Sequence, residues 1–403
     1  MESDEQSQTV LYISYTGLLE PLGQSQVYRY LQELSDDHNI VLVTYENPED
    51  KADTERFESL KADVSETGIE WHPLTYHSSP TLPATVWDLT TGFGVAARAI
   101  RNNDIDIVHT RSYVPSVLGL LCKRVFGTKF VFDMRGFWAD ERVDGGMWEE
   151  DSRLYRSAKW FETQFFENAD VVVSLTEAGI DAIQGFDHVD TSETRFEMIP
   201  TCVDTGLFTP QHERRQDEFV LGYVGSVGTW YLFDDVLECF ELLRERRPDS
   251  QLRILNQGDH DYVYDRLAAF DIDESAVTVE AVEHDEVPTE MNKMDAGIFF
   301  YTPTFSKKGT SPTKMGEFLA CGLPCLSNAA VGDVESILEE NGVGVALESF
   351  DTEAKRAAIE RLVELSTAPA TAARCRQVAE SYYALEAGVR DYDEIYRTVV
   401  ADG

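Results

Sequence analysis

The strongest concentration of positive charge lies in Lys307-Lys-Gly-Thr-Ser-Pro-Thr-Lys-Met-Gly-Glu317, with three Lys in eight residues of a chain crowded with Asp and Glu. Pro312 fits the start of a helix. Lys314 and Glu317 are three apart and share one face of it. Lys314 together with the free N–H groups of that helix start would neutralise a diphosphate. Glu317 would accept hydrogen bonds from ribose hydroxyls. The plainer alternative is a surface helix with a routine ion pair. A second candidate is the run of small residues in Gly222-Tyr-Val-Gly-Ser-Val-Gly-Thr-Trp-Tyr231. Gly225, Ser226, Val227 and Gly228 follow an apolar strand, where backbone N–H groups can approach a diphosphate. No P-loop Lys accompanies them, which argues against ATP hydrolysis of the Walker type.

The first half holds three further candidates. Tyr15-Thr-Gly-Leu-Leu-Glu-Pro-Leu-Gly-Gln-Ser-Gln26 places Gly23 and Gln24 just before a helix, without the GxGxxG spacing of a dinucleotide loop. It is either a ligand loop or a plain strand-to-helix turn. In Ile107-Val-His-Thr-Arg-Ser-Tyr-Val-Pro115, His109 and Arg111 fall at the carboxyl end of a strand, where α/β ligands bind. A lone His is more often structural, so that alternative stands beside it. Phe132-Asp-Met-Arg-Gly-Phe-Trp-Ala-Asp-Glu-Arg142 is dense in ionisable and aromatic groups: Asp133, Arg135, Trp138, Asp140 and Glu141. The competing assignment makes its aromatics core and its charges solvated.

These segments need a scaffold of alternating strands and helices, and the apolar pattern supplies one. Strands are expected at Thr9–Ser14, Ile40–Tyr45, Ile69–Leu74, Ile105–His109, Lys129–Asp133, Asp170–Leu175 and Phe196–Pro200. Helices are expected between them, among them Gln24–Leu34, one capped by Asp53, Pro83–Arg101, Tyr113–Val125 and Met147–Asn168. Periodicity breaks over Pro200–Pro210 and the polar stretch His212–Glu218, then resumes. The second set of strands is Phe219–Val224, Gln251–Asn256, Val277–Ala281, Ala296–Tyr301, Leu323–Ser327 and Gly342–Leu347. Helices Phe233–Arg246, Asp261–Phe270, Asp285–Met294, Thr313–Cys321 and Thr352–Leu365 alternate with them, and Ala370–Ser381 and Leu385–Val400 close the chain. The expected architecture is α/β: two Rossmann-like parallel-sheet domains facing a cleft. The expected bounds are 1–205, 206–383 and a closing helix 384–403.

Composition limits the function. The chain has 403 residues and carries 34 Lys+Arg against 73 Asp+Glu, a formal net charge of −39. Such a field argues against a nucleic-acid-backbone binder, which needs clustered cations. It also disfavours broad attraction to anionic lipid. With 21 Phe, 17 Tyr and 6 Trp the chain is not disordered. Most of the cations are Arg. Abundant acid with little Lys resembles proteins adapted to molar salt, where screening within a few Å mutes self-repulsion. The N-terminal residues show no signal peptide and no run is long enough to span a membrane, so a cytoplasmic protein is expected. The six scattered cysteines are expected to be buried thiols, with no disulfide scaffold and no metal site.

The sequence resembles a GT-B glycosyltransferase of the large retaining family 4 over nearly its whole length. Ser311-Pro-Thr-Lys-Met-Gly-Glu-Phe-Leu-Ala-Cys-Gly-Leu-Pro324 is similar to the family's helix running from an acidic residue to Ala-x-Gly-x-Pro, and Ile199–Pro210 to its interdomain segment. Pro21–Gln26 and Asp133–Trp138 look like one bacterial and archaeal branch that builds cell-surface glycans. The resemblance implies a nucleotide diphosphate sugar on the second domain and a glycan or lipid-linked acceptor on the first. It assigns Glu317 to ribose, and Gly225–Gly228 and Gly23 to the donor phosphates. The closing helix would cross back to the first domain. It also implies work at the inner face of the cell membrane, with peripheral contact. Three departures stand out. Gly309 occupies the place of a second Glu eight before Glu317. Trp230 and Tyr231 stand where an Arg and a Lys are usual. The usual His after the strand ending at Asp133 is missing, leaving Asp133, Arg135 and His109 as candidates for its role. The expected reaction is hexosyl transfer with retention and without a metal cofactor, Lys314 taking the leaving charge. A sugar-nucleotide epimerase on the same fold and a non-enzymatic small-molecule binding protein are the alternatives.

Overall fold

The structure, a computed structural model, describes residues 7–211 and 218–401. The N-terminal residues 1–6 and most of the polar stretch His212–Glu218 lie outside the described residues. Contacts divide the chain into two units, one running to Ile199 and resuming at Glu386, the other Pro200–Leu385.

The first unit is built on seven parallel strands: β1 (Thr9–Ser14), β2 (Asn39–Glu46), β3 (Glu70–Thr75), β4 (Ile107–Arg111), β5 (Lys129–Asp133), β6 (Val171–Ser174) and β7 (Arg195–Met198), in the order β3-β2-β1-β4-β5-β6-β7. The central strands are near-continuous apolar runs because helices cover both faces. Leu11, Ile13, Val41, Val43 and Val108 pack with Ala96, Ala99, Leu118 and Cys122 from helices Thr81–Asn103 and Tyr113–Phe126. Phe130, Phe132 and Val172 pack with Phe165 and Phe166. Register then places the candidate site residues. Tyr12 lies beside His109, and Ser14, Arg111 and Asp133 form a row at the carboxyl edge. β4 extends two residues further than the apolar pattern implies, which takes Arg111 into the strand.

The second unit has six parallel strands: β8 (Val220–Val224), β9 (Gln251–Leu255), β10 (Val277–Glu280), β11 (Ala296–Ile298), β12 (Cys325–Asn328) and β13 (Gly344–Leu347), ordered β10-β9-β8-β11-β12-β13. The expected doubly wound α/β architecture is present in both units. Each order reverses beside its first strand, and crevices for ligands open at such points. Pro200–Pro210 packs with this second unit. Val203 N–H donates to Tyr383 O (2.7 Å), and the Arg376 guanidinium reaches the carbonyls of Thr205, Phe208 and Ala320.

The terminal helix Leu385–Ala401 buries Tyr392, Ile395, Tyr396 and Val399. Asp393 meets His38 (2.8 Å), and Arg195 donates to Thr398 (2.7 Å), so the helix is tied to the first unit's strands and turns. Elsewhere the boundaries differ from the apolar pattern for local reasons. The helix expected from Met147 starts at Arg153, because Ser152 accepts from Tyr155 N–H as its cap. Trp138–Asp144 is a separate helix. The first helix starts at Pro21 and contains a π-helical turn over Gln24–Tyr28. All six cysteines are free and buried. Among the described residues no helix is long and apolar enough to cross a membrane.

Gly23 is the tightest approach in the first loop: a Cβ there would stand 1.8 Å from the Gly17 carbonyl oxygen, whereas one at the helical Gly94 would meet nothing within 4 Å. Gly23→Ala is therefore expected to cost about 1–3 kcal/mol or more. Gly94→Ala should instead stabilise by about 0.5–1 kcal/mol. Urea midpoints of the two variants should move in opposite directions.

Candidate active site

In the second unit the chain leaves β8 at Gly225, whose φ of +110° is a conformation other residues rarely adopt. The loop backbone is clamped. Gly225 N–H donates to Leu255 O (2.9 Å), Asn256 Nδ2 donates to Gly225 O (3.0 Å), and the Tyr223 hydroxyl donates to Ser226 O (2.5 Å). Asn256 is itself fixed, since its Oδ1 accepts from the N–H groups of Gly258 and Asp259. Tyr231 N–H donates to Gly228 O (2.9 Å), which turns the chain back after Val227 and Gly228.

Facing this loop is the helix Thr313–Ala320, with Pro312 at its N-cap position. Ser311 Oγ accepts from Thr201 N–H (3.2 Å) just ahead of it. A Cβ on Gly225 would stand 2.9 Å from Lys314 Nζ, so glycine leaves the space the ammonium uses. That ammonium is buried and has no hydrogen-bond partner among the described residues. Ring faces surround it instead: Tyr231 at 4.2 Å, Tyr223 at 5.1 Å, Phe299 at 5.8 Å and Tyr301 at 5.9 Å. Aromatic faces attract a cation but replace only part of its lost hydration. Burial consequently lowers the Lys314 pKa to about 7, with Glu317 opposing. Burial likewise raises the buried Glu317 carboxyl to about 7, with Lys314 opposing. Trp230 and Tyr231, which stand where the resemblance calls for Arg and Lys, thus cover cations: Lys307 Nζ lies 4.5 Å from the Trp230 ring.

In the first unit the structure gathers His109, Arg111, Asp133 and Arg135 at the carboxyl ends of β4 and β5. Asp133 Oδ2 accepts from the Tyr392 hydroxyl (3.2 Å) and lies 3.9 Å from Arg135 Nη1 and 4.0 Å from His109 Nε2. Asp133 Oδ1, Arg111 Nε and His109 Nε2 are buried without hydrogen-bond partners among the described residues. Burial, reinforced by Arg111 and Arg135, pushes the His109 pKa down to about 3, so the imidazole is neutral. Its Nδ1 lies 2.6 Å from the Tyr396 hydroxyl. Burial raises the Asp133 pKa against the pull of Arg135 and Arg111. Arg135 has φ +57°, backbone strain of the kind that gathers at functional sites. Its Nη2 faces Gln26 Oε1 at 3.5 Å. Gln24 is half-buried in the π-helical turn that also holds Gln26.

Other acceptor-side candidates join different partners. Asp140 accepts from Tyr155 (2.7 Å) and Lys159 (2.9 Å), and Lys159 also pairs with the buried Glu162. Trp138 stacks on Tyr113 at 5.9 Å and takes the Arg142 guanidinium on its face. Glu141 is half-buried on the same short helix. Sequence reasoning missed Tyr12, Gln26, Tyr223, Asn256, Tyr392 and Tyr396. Asn256 carried a signal, since it follows directly on β9. Tyr392 and Tyr396 carried none that is local.

The family model described as Glycosyltransferase Family 4 matches residues 23–207, and the one described as Glycosyl transferases group 1 matches residues 206–381. No curated protein matches the chain. Among solved structures, sucrose-phosphate synthase from Thermosynechococcus elongatus is similar with a TM-score of 0.73 and 14% identity, over 98% of this chain and 100% of that one. A glycosyltransferase from Rickettsia africae has a TM-score of 0.72 and 13% identity, over 98% and 100%. Anabaena HepE in complex with UDP and glucose has a TM-score of 0.67 and 15% identity, over 96% and 98%.

The lowered Lys314 pKa has a measurable sign. Above pH 7 the ligand-free amine is largely neutral, and a bound diphosphate favours its charged form. Binding of a nucleoside diphosphate at about pH 8 should therefore take up a proton and weaken as pH rises further. Calorimetry in buffers of different ionisation enthalpy should show the uptake, and Lys314→Met should abolish it.

Proposed function

We propose that this chain, which belongs to the GT-B glycosyltransferases, transfers a hexosyl group from a nucleotide diphosphate sugar to a glycan or lipid-linked acceptor with retention of configuration. The observation that carries the donor half is the partnerless Lys314 ammonium, buried beside the Gly225 loop at the start of a helix. A diphosphate would supply the hydrogen-bond acceptors that this ammonium lacks. HepE was solved with UDP-glucose as well as with UDP and glucose, which supports the same class of donor here.

In the reaction the sugar C1–O bond breaks and its electron pair stays on the phosphate oxygen, while C1 bonds to an acceptor hydroxyl whose proton is released. Charge grows on the leaving diphosphate, and groups already aimed at it lower the barrier most. Lys314, the N–H groups at Thr313 and Lys314, and those of Ser226–Gly228 serve that role, in place of a divalent cation. Glu317 accepts from the ribose hydroxyls. Asp133, Arg111 and Arg135 contact the acceptor sugar. The neutral His109, held against Tyr396, is a positioning residue beneath them. A lipid-linked acceptor would bring the chain to the inner face of the membrane, and the acidic surface fits a protein of saline cytoplasm.

Two experiments test this. In a thermal-shift panel of UDP-, GDP- and ADP-sugars one nucleotide should stabilise the protein. Lys314→Ala should weaken that donor by about 10–100-fold, the loss of one charged hydrogen bond, and Glu317→Gln should weaken the free nucleoside as well; an unchanged donor affinity in Lys314→Ala would overturn the phosphate role. In a transfer assay the first product should keep the donor's anomeric configuration by NMR. Turnover should persist in chelator and rise toward molar salt.

A further inference from the structure

The first sheet carries a second polar assembly at its carboxyl edge. β3 ends at Thr75, Tyr76 N–H continues the ladder to Glu46 O (2.9 Å), and His77 follows. Behind it stands Asp88, on the second turn of the helix Thr81–Asn103 and wholly buried. The Asp88 carboxylate accepts three hydrogen bonds: from His77 Nδ1 (2.5 Å), from His77 N–H (3.1 Å) and from the Tyr15 hydroxyl (2.8 Å). A carboxylate in that role only accepts, so Nδ1 carries the imidazole proton. In the neutral imidazole that tautomer leaves a lone pair on Nε2. The imidazole is 44% exposed, and among the described residues Nε2 has no hydrogen-bond partner.

The surroundings are rigid. Glu46, at the end of β2, accepts from the N–H groups of Leu18 (2.9 Å) and Leu19 (3.0 Å), fixing the loop that follows Tyr15. Tyr45 donates to the Asp88 carbonyl (2.7 Å), and the Tyr15 ring packs against Tyr45 and edge-on against Tyr76. Satisfying Asp88 does not by itself require an outward-facing imidazole, because Tyr15 and the backbone already donate to it. The arrangement turns one basic nitrogen toward solvent in a fixed direction, beside aromatic rings of the kind that pack on sugar faces.

We propose that His77 is an acceptor-binding residue: Nε2 accepts a hydrogen bond from a carbohydrate hydroxyl, and Asp88 and Tyr15 are the positioning residues that hold the imidazole in that tautomer. This rests on the transferase reading above and adds the group that selects the acceptor.

The test uses the full chain labelled with nitrogen-15 and titrated with p-nitrophenyl glucosides, galactosides and mannosides, with and without UDP. Long-range imidazole spectra should show His77 protonated at Nδ1, and at least one glycoside should move its Nε2 signal saturably. His77→Gln, at an exposed position, should weaken that glycoside by about tenfold and leave UDP affinity unchanged. Asp88→Asn should shift the tautomer balance and weaken the same glycoside while leaving UDP affinity unchanged, whereas a merely structural Asp88 would leave the glycoside affinity unmoved. A proton on Nε2 in the native protein would overturn the proposal. So would an Nε2 signal that no glycoside moves while UDP binds. Glycosides that move His77 in a protein blind to every nucleotide would support the site and defeat the transferase reading instead.

Discussion

An ammonium held out of water without a hydrogen-bond partner is the constraint around which the second unit is arranged. Removing a charge from water is among the costliest acts of folding. At Lys314 the cost shows as a pKa brought from 10.5 to about 7. Natural folds accept such a local defect chiefly where a ligand is to relieve it. The rest of the site limits the damage. Four ring faces approach the ammonium, glycine at 225 leaves it room, and Asn256 and Tyr223 keep the loop from collapsing onto it. A looser loop would let water in and restore the ordinary amine. The ring faces do not satisfy the three N–H donors, which remain directed at whatever enters.

The first unit meets a related difficulty differently. Arg111, Arg135 and Asp133 are brought together by register, two guanidiniums against one carboxylate, with a neutral His109 below. Their hydroxyl partners come from the last helix of the chain, through Tyr392 to Asp133 and Tyr396 to His109. That helix is therefore more than a lid over apolar surface. It also holds Asp393 against His38, fixing the turn before β2. The polar centre of the first unit depends on residues more than 250 positions further along the chain.

This explains what could be read in advance and what could not. β1 and β5 match their expected bounds because strands covered on both faces must be apolar throughout, a signal that needs no partner. The helix Phe233–Arg246 was equally legible from its period. Lys314 stood out because cations are few. Residues whose meaning depends on a distant partner were opaque. Asp140 is legible as a charged group after a strand, but its partners Tyr155 and Lys159, on another helix, are not. Tyr392 lies 259 residues from Asp133, and no spacing rule links them. His77 and Asp88 are only eleven apart, yet a strand end, a turn and a helix start intervene, so neither period joins them.

The acidic composition gives the aromatic enclosure a further reason. With 73 Asp+Glu against 34 Lys+Arg, cations readily find more than one carboxylate. Lys355 is held by Asp235 and Glu238, Arg253 by Glu280 and Glu290, and Lys159 by Asp140 and Glu162. A phosphate-binding Lys treated this way would be neutralised before its ligand arrived. Ring faces attract an ammonium without offering it a carboxylate, and Glu317 acts on it through space without an ion pair among the described residues. The cage of Tyr223, Tyr231, Phe299 and Tyr301 is thus the arrangement by which an acidic chain keeps one cation uncommitted. The loss of ordinary basicity at Lys314 is the consequence, and under the donor role proposed above a diphosphate would reverse it by supplying the counter-charge.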